Sequence, residues 1–235
     1  MDPATVITLL ALNLIGTGSL LLLIRRHTSD AAGLHGFGTG ALAFGTGYLL
    51  RLVLGFSSGG IAGVVADICM VYATLCFATG LRQFSGGAPI GRHRVFVVTA
   101  GYAVLAVLVT LSWQGVGRHA LLNLALGLAY ALLAGLAWQG ARRDRPELRL
   151  PLRLLGGALA AISLLTSARG VAVPWVGLAP LFEGTPAQIY YAYSVVFSTV
   201  LGPALLWIVF VRLSGRLQEL ATHDALTGVL NRNGL

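Results

Sequence analysis

The feature that most constrains this chain is a series of seven apolar runs, each about as long as a bilayer is thick. Only 10% of the residues are charged, whereas a soluble domain carries about 25%, and the mean hydropathy is +0.81. The sequence therefore predicts an all-α integral membrane protein, a seven-transmembrane helix bundle in contact with the lipid bilayer. The predicted spans are residues 4–24, 34–56, 60–81, 95–113, 119–139, 150–173 and 189–211.

The arginines indicate how this bundle is oriented. If the seven runs alternate in direction, one side of the membrane holds Arg25, Arg26, Arg82, Arg92, Arg94, Arg142, Arg143, Arg145, Arg149, Arg153, Arg212 and Arg216. The other side keeps only Arg51, Arg118 and Arg169. Basic loops stay in the cytoplasm, so we expect the N-terminus outside and the C-terminus in the cytoplasm.

The inventory of side chains excludes several classes of protein. All 16 basic residues are arginines, so a retinal photoreceptor, which needs a lysine for its Schiff base, is excluded. The net charge is +8, and the arginines that cause it lie mainly in short loops between apolar runs. This pattern reflects how the chain is oriented in the membrane and does not indicate nucleic-acid binding. Cys69 and Cys76, about 10 Å apart if helical, are too far apart for a disulfide. Neither an H-x-x-x-H nor a C-x-x-C spacing occurs in the sequence, so no metal site is predicted.

The last span continues into a polar helix with a coiled-coil pattern. Apolar side chains recur at steps of four and three, which places them on one face. They are Leu206, Phe210, Leu213, Leu217 and Leu220. We predict a helix that leaves the bilayer without a break and forms a homodimer through this seam. The chain then divides into a transmembrane domain at 1–211, a signalling helix at 212–222 and a further segment at 223–235.

That further segment begins with the string HDALTGVLNR. It resembles the entry motif D-x-L-T-G-x-x-N-R of the GGDEF diguanylate cyclases, enzymes that condense two GTP into cyclic di-GMP. The matching residues are Asp224, Leu226, Thr227, Gly228, Asn231 and Arg232. Asn233 departs from the arginine that is common in the family.

The resemblance implies a bacterial inner-membrane protein whose seventh helix controls a cyclase domain. In the family, this motif forms the turn between the signalling helix and the catalytic domain. The catalytic residues lie further along, so the segment at 223–235 is expected to be the start of a truncated GGDEF domain without activity of its own. Mg and GTP are expected for the missing cyclase domain, whereas no cofactor is expected in these 235 residues.

Charged residues inside the predicted spans are expensive in lipid and are therefore paired or functional. The short connection between the second and third spans makes them antiparallel neighbours and brings Arg51 and Asp67 to one depth, so we predict a buried ion pair. Other polar and aromatic residues gather at the same side of the membrane: Arg118, His119, Arg169, Trp175, Glu183, Tyr190 and Tyr191.

Together these residues form a candidate site for a small anionic or amphiphilic ligand, held by arginines and aromatic walls. Two structural alternatives stay open, a salt bridge that only locks helices and an interfacial aromatic belt. A transporter or channel and a membrane anchor without sensing are the rival functions. The many glycines of the second span indicate close helix packing.

Overall fold

A computed structural model describes residues 3–28, 33–54, 60–143 and 146–222 of the chain. Almost all of them are helical, and no strand occurs within these ranges. Six of the helices found there are long and apolar enough to cross a membrane. The chain thus has the helices of a multi-pass membrane protein. The elements are α1 Pro3–His27, α2 Leu34–Leu54, α3 Ala62–Phe84, α4 Arg92–Arg143, α5 Pro146–Val176, α6 Ala179–Phe182 and α7 Gly184–Thr222.

The fourth helix, α4, contains two of the predicted spans and bends back on itself between them. Gln114 has φ 51° and ψ −145°, which is not helical. A Cβ built on Gly117 would lie 2.8 Å from Cγ1 of Val109. Residues eight apart in a continuous helix are separated by about 12 Å along the axis. The chain therefore turns at Gln114, and α4 consists of a first arm before this residue and a second arm after it.

The helices form a closed ring of neighbours. Each long helix packs on the next in the chain, and α7 packs on both α5 and α1. A hydrogen bond of 2.8 Å from the Tyr193 hydroxyl to the Ala158 carbonyl joins α7 to α5. The second arm of α4 supplies Leu133 and Ala137 to a buried apolar cluster that all six long helices share. The second arm is therefore part of the core.

Glycines of α2 allow it to pack closely on two neighbours. On one side, a Cβ built on Gly36 would lie 2.5 Å from the backbone nitrogen of Gly80 in α3. On the other side, a Cβ on Gly45 would lie 3.1 Å from the Ala11 carbonyl oxygen of α1. Small residues permit such close backbone approach, which is a main source of helix packing in lipid. The structure confirms the predicted packing role at these positions.

The outer surface of the bundle is apolar. Large apolar side chains point outward from several helices. They include Val53, Phe96, Val104, Leu111, Leu128, Leu164 and Val200. Most of the first arm of α4 is exposed in this way. A soluble monomer rarely presents apolar patches of this extent, so this surface fits a lipid environment.

The last helix, α7, runs from the bundle through Pro203 to Thr222 without interruption. This confirms the predicted continuous helix through residues 207–221. Of the predicted seam, Phe210 and Leu217 are 68% and 67% exposed, whereas Leu206 and Leu213 pack partly against the core. The side chain of Leu220 and the motif from Asp224 to Arg232 lie outside the described residues.

Candidate functional site: a buried arginine–aspartate cluster

The predicted ion pair between α2 and α3 is present. Arg51 Nη2 lies 2.7 Å from Asp67 Oδ1. Arg51 is close to the last turn of α2 and Asp67 is in the second turn of α3, so antiparallel packing brings them to one level. The Asp67 side chain is 0% exposed. We call this part of the bundle the Arg51 end, and the opposite part, where α1 ends and α2 begins, the Arg25 end.

A second arginine shares the same carboxylate. Arg118 begins the second arm of α4, and its Nε lies 3.8 Å from Asp67 Oδ2. Arg118 is only 2% exposed. Its guanidinium occupies the space where Gly63 of α3 would carry a Cβ. Gly63, one turn before Asp67, is therefore the residue that admits Arg118 to the site.

The cluster carries more positive than negative charge. Arg51 and Arg118 face Asp67, which leaves one excess positive charge in a buried position. Among the described residues, Asp67 Oδ2, Arg118 Nε, Arg118 Nη1 and the Tyr102 hydroxyl are buried without a hydrogen-bond partner. Buried polar groups almost always find partners, including water. The arrangement can thus accept a water molecule or an anionic group at Arg118.

His119 extends the polar region toward the segment between α5 and α7. Its Nδ1 donates a hydrogen bond of 2.8 Å to the Gly115 carbonyl oxygen. This leaves the buried Nε2 as an acceptor without a partner among the described residues. The ring meets Phe182 of α6 edge to face, with centroids 5.7 Å apart. No group of three residues suited to a metal ion occurs in the described ranges.

A second cluster ties α5 to α7 at the same end. The Arg169 guanidinium carbon lies 3.6 Å from the centroid of the Tyr190 ring and 5.8 Å from that of Tyr191. Cation–π contacts at these distances are worth about 0.5–2 kcal/mol. We call these three residues the arginine–tyrosine cluster. Tyr48, one helical turn before Arg51 in α2, lines the same cavity as Tyr190.

A small cavity lies beside Tyr48. It has a volume of about 40 Å³ and lies between five helical segments, namely α1, α2, α5, α7 and the second arm of α4. The hydroxyl-bearing residues in its wall are Tyr48, Tyr130, Tyr190, Ser194 and Ser198. This volume holds a few water molecules at most, whereas a drug-sized ligand occupies about 300–1,000 Å³. A larger ligand would require the tyrosine rings to move.

The structure brings together most, but not all, of the predicted site residues. Arg51, Asp67, Arg118 and His119 form one group, and Arg169, Tyr190 and Tyr191 form the other. Trp175 is 86% exposed and Glu183 is also exposed, so neither lines the buried region. An outward Trp175 fits the interfacial aromatic belt that the sequence left open.

Three contributors escaped the sequence analysis, namely Tyr48, Tyr102 and Gly63. Tyr48 and Gly63 lie one helical turn from Arg51 and Asp67, so helical spacing from the two charges was a signal for both. Tyr102 belongs to the first arm of α4, and its approach to Asp67 depends on how that arm packs on α3.

No family model, no curated protein and no solved structure matches this chain.

Proposed function

We propose that this chain is the transmembrane sensory region of a bacterial GGDEF diguanylate cyclase, seated in the inner membrane. The observation that carries the proposal is that α7 is one continuous helix from the bundle to Thr222, the last described residue, two residues before the entry motif that starts at Asp224. At about 1.5 Å per residue its 39 residues span about 58 Å, roughly twice the hydrocarbon thickness. Such a helix reaches well beyond the membrane.

The chain crosses the membrane seven times in this proposal. The 52 residues of α4 would measure about 78 Å if straight, far more than a bilayer. The turn at Gln114 divides them into two arms, each long enough for one crossing. With α1, α2, α3, α5 and α7, the two arms make seven.

The orientation places the cyclase domain in the cytosol, where GTP is available. Because α4 reverses, Arg142 and Arg143 lie at the same end of the bundle as Arg25 and Arg92. Among the arginines that the structure describes, the Arg51 end holds only Arg51, Arg118 and Arg169, all within or close to the buried clusters. The positive-inside rule then assigns the Arg25 end to the cytoplasm.

The signal enters at the Arg51 end and leaves through α7. The arginine–tyrosine cluster belongs to this path, since Tyr190 and Tyr191 are the part of α7 that contacts Arg169. A small anion, a headgroup or a change of hydration near Arg118 alters the electrostatics of both clusters. That change repositions α7 relative to α5. The ligand class is a small anionic or amphiphilic molecule, as the surplus of arginine charge favours.

Two copies pair through α7 and its extension, which brings two cyclase domains together. The reaction joins one GTP from each domain, so the geometry between copies is sufficient to control it. The exposed Phe210 and Leu217 supply the apolar contacts of this seam. Mg and GTP bind to the cyclase domain and not to the described helices.

Cysteine crosslinking in membranes tests the dimer. In a background without Cys69 and Cys76, we expect Phe210→Cys and Leu217→Cys to give disulfide-linked dimers on mild oxidation. Gly215→Cys is the control, because Gly215 lies about 140° from Phe210 and about 160° from Leu217 around the helix. Equal crosslinking at all three positions, or at none, contradicts the proposed seam.

The cyclase link is tested with the natural gene in a strain that makes no cyclic di-GMP. We expect the full-length protein to restore the nucleotide, and Arg169→Ala to change its level while the amount of protein in the membrane stays normal. Loss of the protein itself would favour an anchor whose polar clusters only lock helices. Ion flux through purified protein in liposomes, without cyclic di-GMP synthesis, would favour the channel alternative.

A further inference from the structure

A groove at the Arg25 end has no role in the proposed function. It runs between α2, α3 and the first arm of α4, and its volume is about 590 Å³. The central cavity beside Tyr48, by contrast, measures about 40 Å³. A space of several hundred Å³ is in the range of sites for small molecules and lipid chains.

The groove is about as long as one leaflet of a bilayer is thick. Its wall on α3 extends from Gln83 near the helix end to Tyr72, eleven residues deeper. This distance is about 16 Å along the helix, compared with about 15 Å for half of the hydrocarbon core. The groove thus begins at the membrane surface and ends near the bilayer centre.

Most of the wall is apolar, although the buried Thr99 Oγ1 has no hydrogen-bond partner among the described residues. Two of its hydroxyl groups are bonded to their own helix, Thr39 to the His35 carbonyl at 2.7 Å and Thr79 to the Leu75 carbonyl at 2.9 Å. On the facing arm of α4, Val95 and Phe96 supply apolar surface, and Phe96 is 69% exposed. This surface suits a hydrocarbon chain.

The mouth of the groove is basic. Arg92 and His35 line it, and the Arg25 guanidinium donates a hydrogen bond of 2.9 Å to Nδ1 of His35. Within the described ranges, no acidic residue lines the groove. Arginines at the membrane surface attract the phosphate of a lipid headgroup, and Arg pairs well with phosphate oxygens.

We propose that this groove is a binding site for an anionic phospholipid. One acyl chain lies between Thr39 and Phe96, and the headgroup phosphate lies at Arg25 and Arg92. Two observations favour this occupant. The arginines at the mouth complement a phosphate group, and the length of the groove matches the thickness of one leaflet. In the orientation proposed above, the lipid belongs to the cytoplasmic leaflet, but binding itself depends only on the groove.

Native mass spectrometry of the detergent-purified chain tests the headgroup contact. With phosphatidylglycerol we expect one tightly held lipid per chain, and with phosphatidylcholine much weaker binding. The double variant Arg25→Gln, Arg92→Gln should weaken phosphatidylglycerol binding roughly thirtyfold. The control Arg26→Gln, Arg94→Gln removes the same charge from neighbouring positions; Arg92 lines the groove and Arg25 bonds to His35 in its wall, whereas Arg26 and Arg94 are not among the lining residues. Equal loss in both variants, or equal binding of the two lipids, overturns the proposal.

A second measurement tests the acyl-chain contact. Cys76 lines the groove, whereas Cys69 lies two helical turns away along α3, near Gly47, and does not line it. In a Cys69→Ser background within nanodiscs, phosphatidylglycerol should slow alkylation of Cys76 by N-ethylmaleimide severalfold relative to phosphatidylcholine. Thr39→Phe fills the groove and should abolish this dependence on lipid. An alkylation rate that is equal in both lipids contradicts occupancy of the groove. Neither test involves cyclase activity, so each is independent of the proposed function.

Discussion

The two ends of this bundle are built from different interactions. At the Arg25 end, Leu21, Leu81, Leu152 and Ile208 belong to one apolar core to which all six long helices contribute. At the Arg51 end, Asp67, Arg118 and His119 are buried instead. Close apolar packing favours a single arrangement, whereas a buried polar network with unsatisfied groups changes with hydration or charge. The comparison indicates a firmly packed Arg25 end and an adjustable Arg51 end.

The largest expected effect comes from removing the buried carboxylate that faces both Arg51 and Arg118. Asp67→Asn leaves two buried guanidinium groups without a counter-charge, which we expect to cost about 3–5 kcal/mol of the free energy of unfolding. The measurement is the melting temperature in detergent. A change within about 0.5 kcal/mol of wild type would mean that water already solvates Arg51 and Arg118.

The triple variant Arg51→Met, Asp67→Leu, Arg118→Met provides the control. Replacement of a whole buried ion network by apolar side chains of similar size is often neutral or stabilising. We therefore expect the triple variant to melt close to wild type and well above Asp67→Asn. If it melts as low as the single variant, the charges hold the helices together, and the contrast between the two ends is one of stability rather than adjustability.

At the Arg25 end, the corresponding test is to add a single methyl group where two helices pack closely. Gly36→Ala places a Cβ 2.5 Å from the Gly80 backbone nitrogen and should force α2 and α3 apart. We expect a loss of about 1–3 kcal/mol, as for overpacked cores. Gly16→Ala is the matched control, because nothing lies within 4 Å of a Cβ there. A similar melting temperature for both variants would show that the apolar end also adapts.

A smaller effect is expected in the arginine–tyrosine cluster. Tyr190→Leu removes the ring above the Arg169 guanidinium, and we expect a cost of about 1 kcal/mol. Tyr190→Phe keeps the ring and should melt like wild type. In the full-length protein, the leucine variant should also change the level of cyclic di-GMP. Equal behaviour of Leu and Phe would remove the cation–π contact as a link between α5 and α7.

The sequence predicted the Arg51–Asp67 pair because a short connection fixes the relative depth of α2 and α3. It did not predict that Arg118 joins the pair. That contact depends on where α4 reverses and on the missing side chain of Gly63, and hydropathy reports neither. The apolar runs at 95–113 and 119–139 predicted two spans, but not that Gln114 alone interrupts the helix between them.

The sequence predicted a candidate ligand site at the Arg51 end but carried no information on its volume. Spacing placed Tyr190 and Arg169 at one side of the membrane, but it did not show that the ring stacks on the guanidinium. That stacking and the rings of Tyr48 and Tyr130 leave a cavity of about 40 Å³. The outward position of Trp175 was not predicted either, because Trp175 lies beyond the predicted span at 150–173, whereas α5 continues through Pro174 to Val176.

The smallest expected effect concerns the strained turn at the Arg51 end. Gln114 has φ 51°, a left-handed value that costs a residue with a side chain about 1 kcal/mol or more. Gln114→Gly should therefore stabilise the protein by about 1 kcal/mol, because glycine adopts this φ readily. Gln139→Gly, in the regular part of the same helix, should instead destabilise it by about 1 kcal/mol. If both glycines lower the melting temperature, the turn is not strained, and the Arg51 end differs from the Arg25 end in its charges alone.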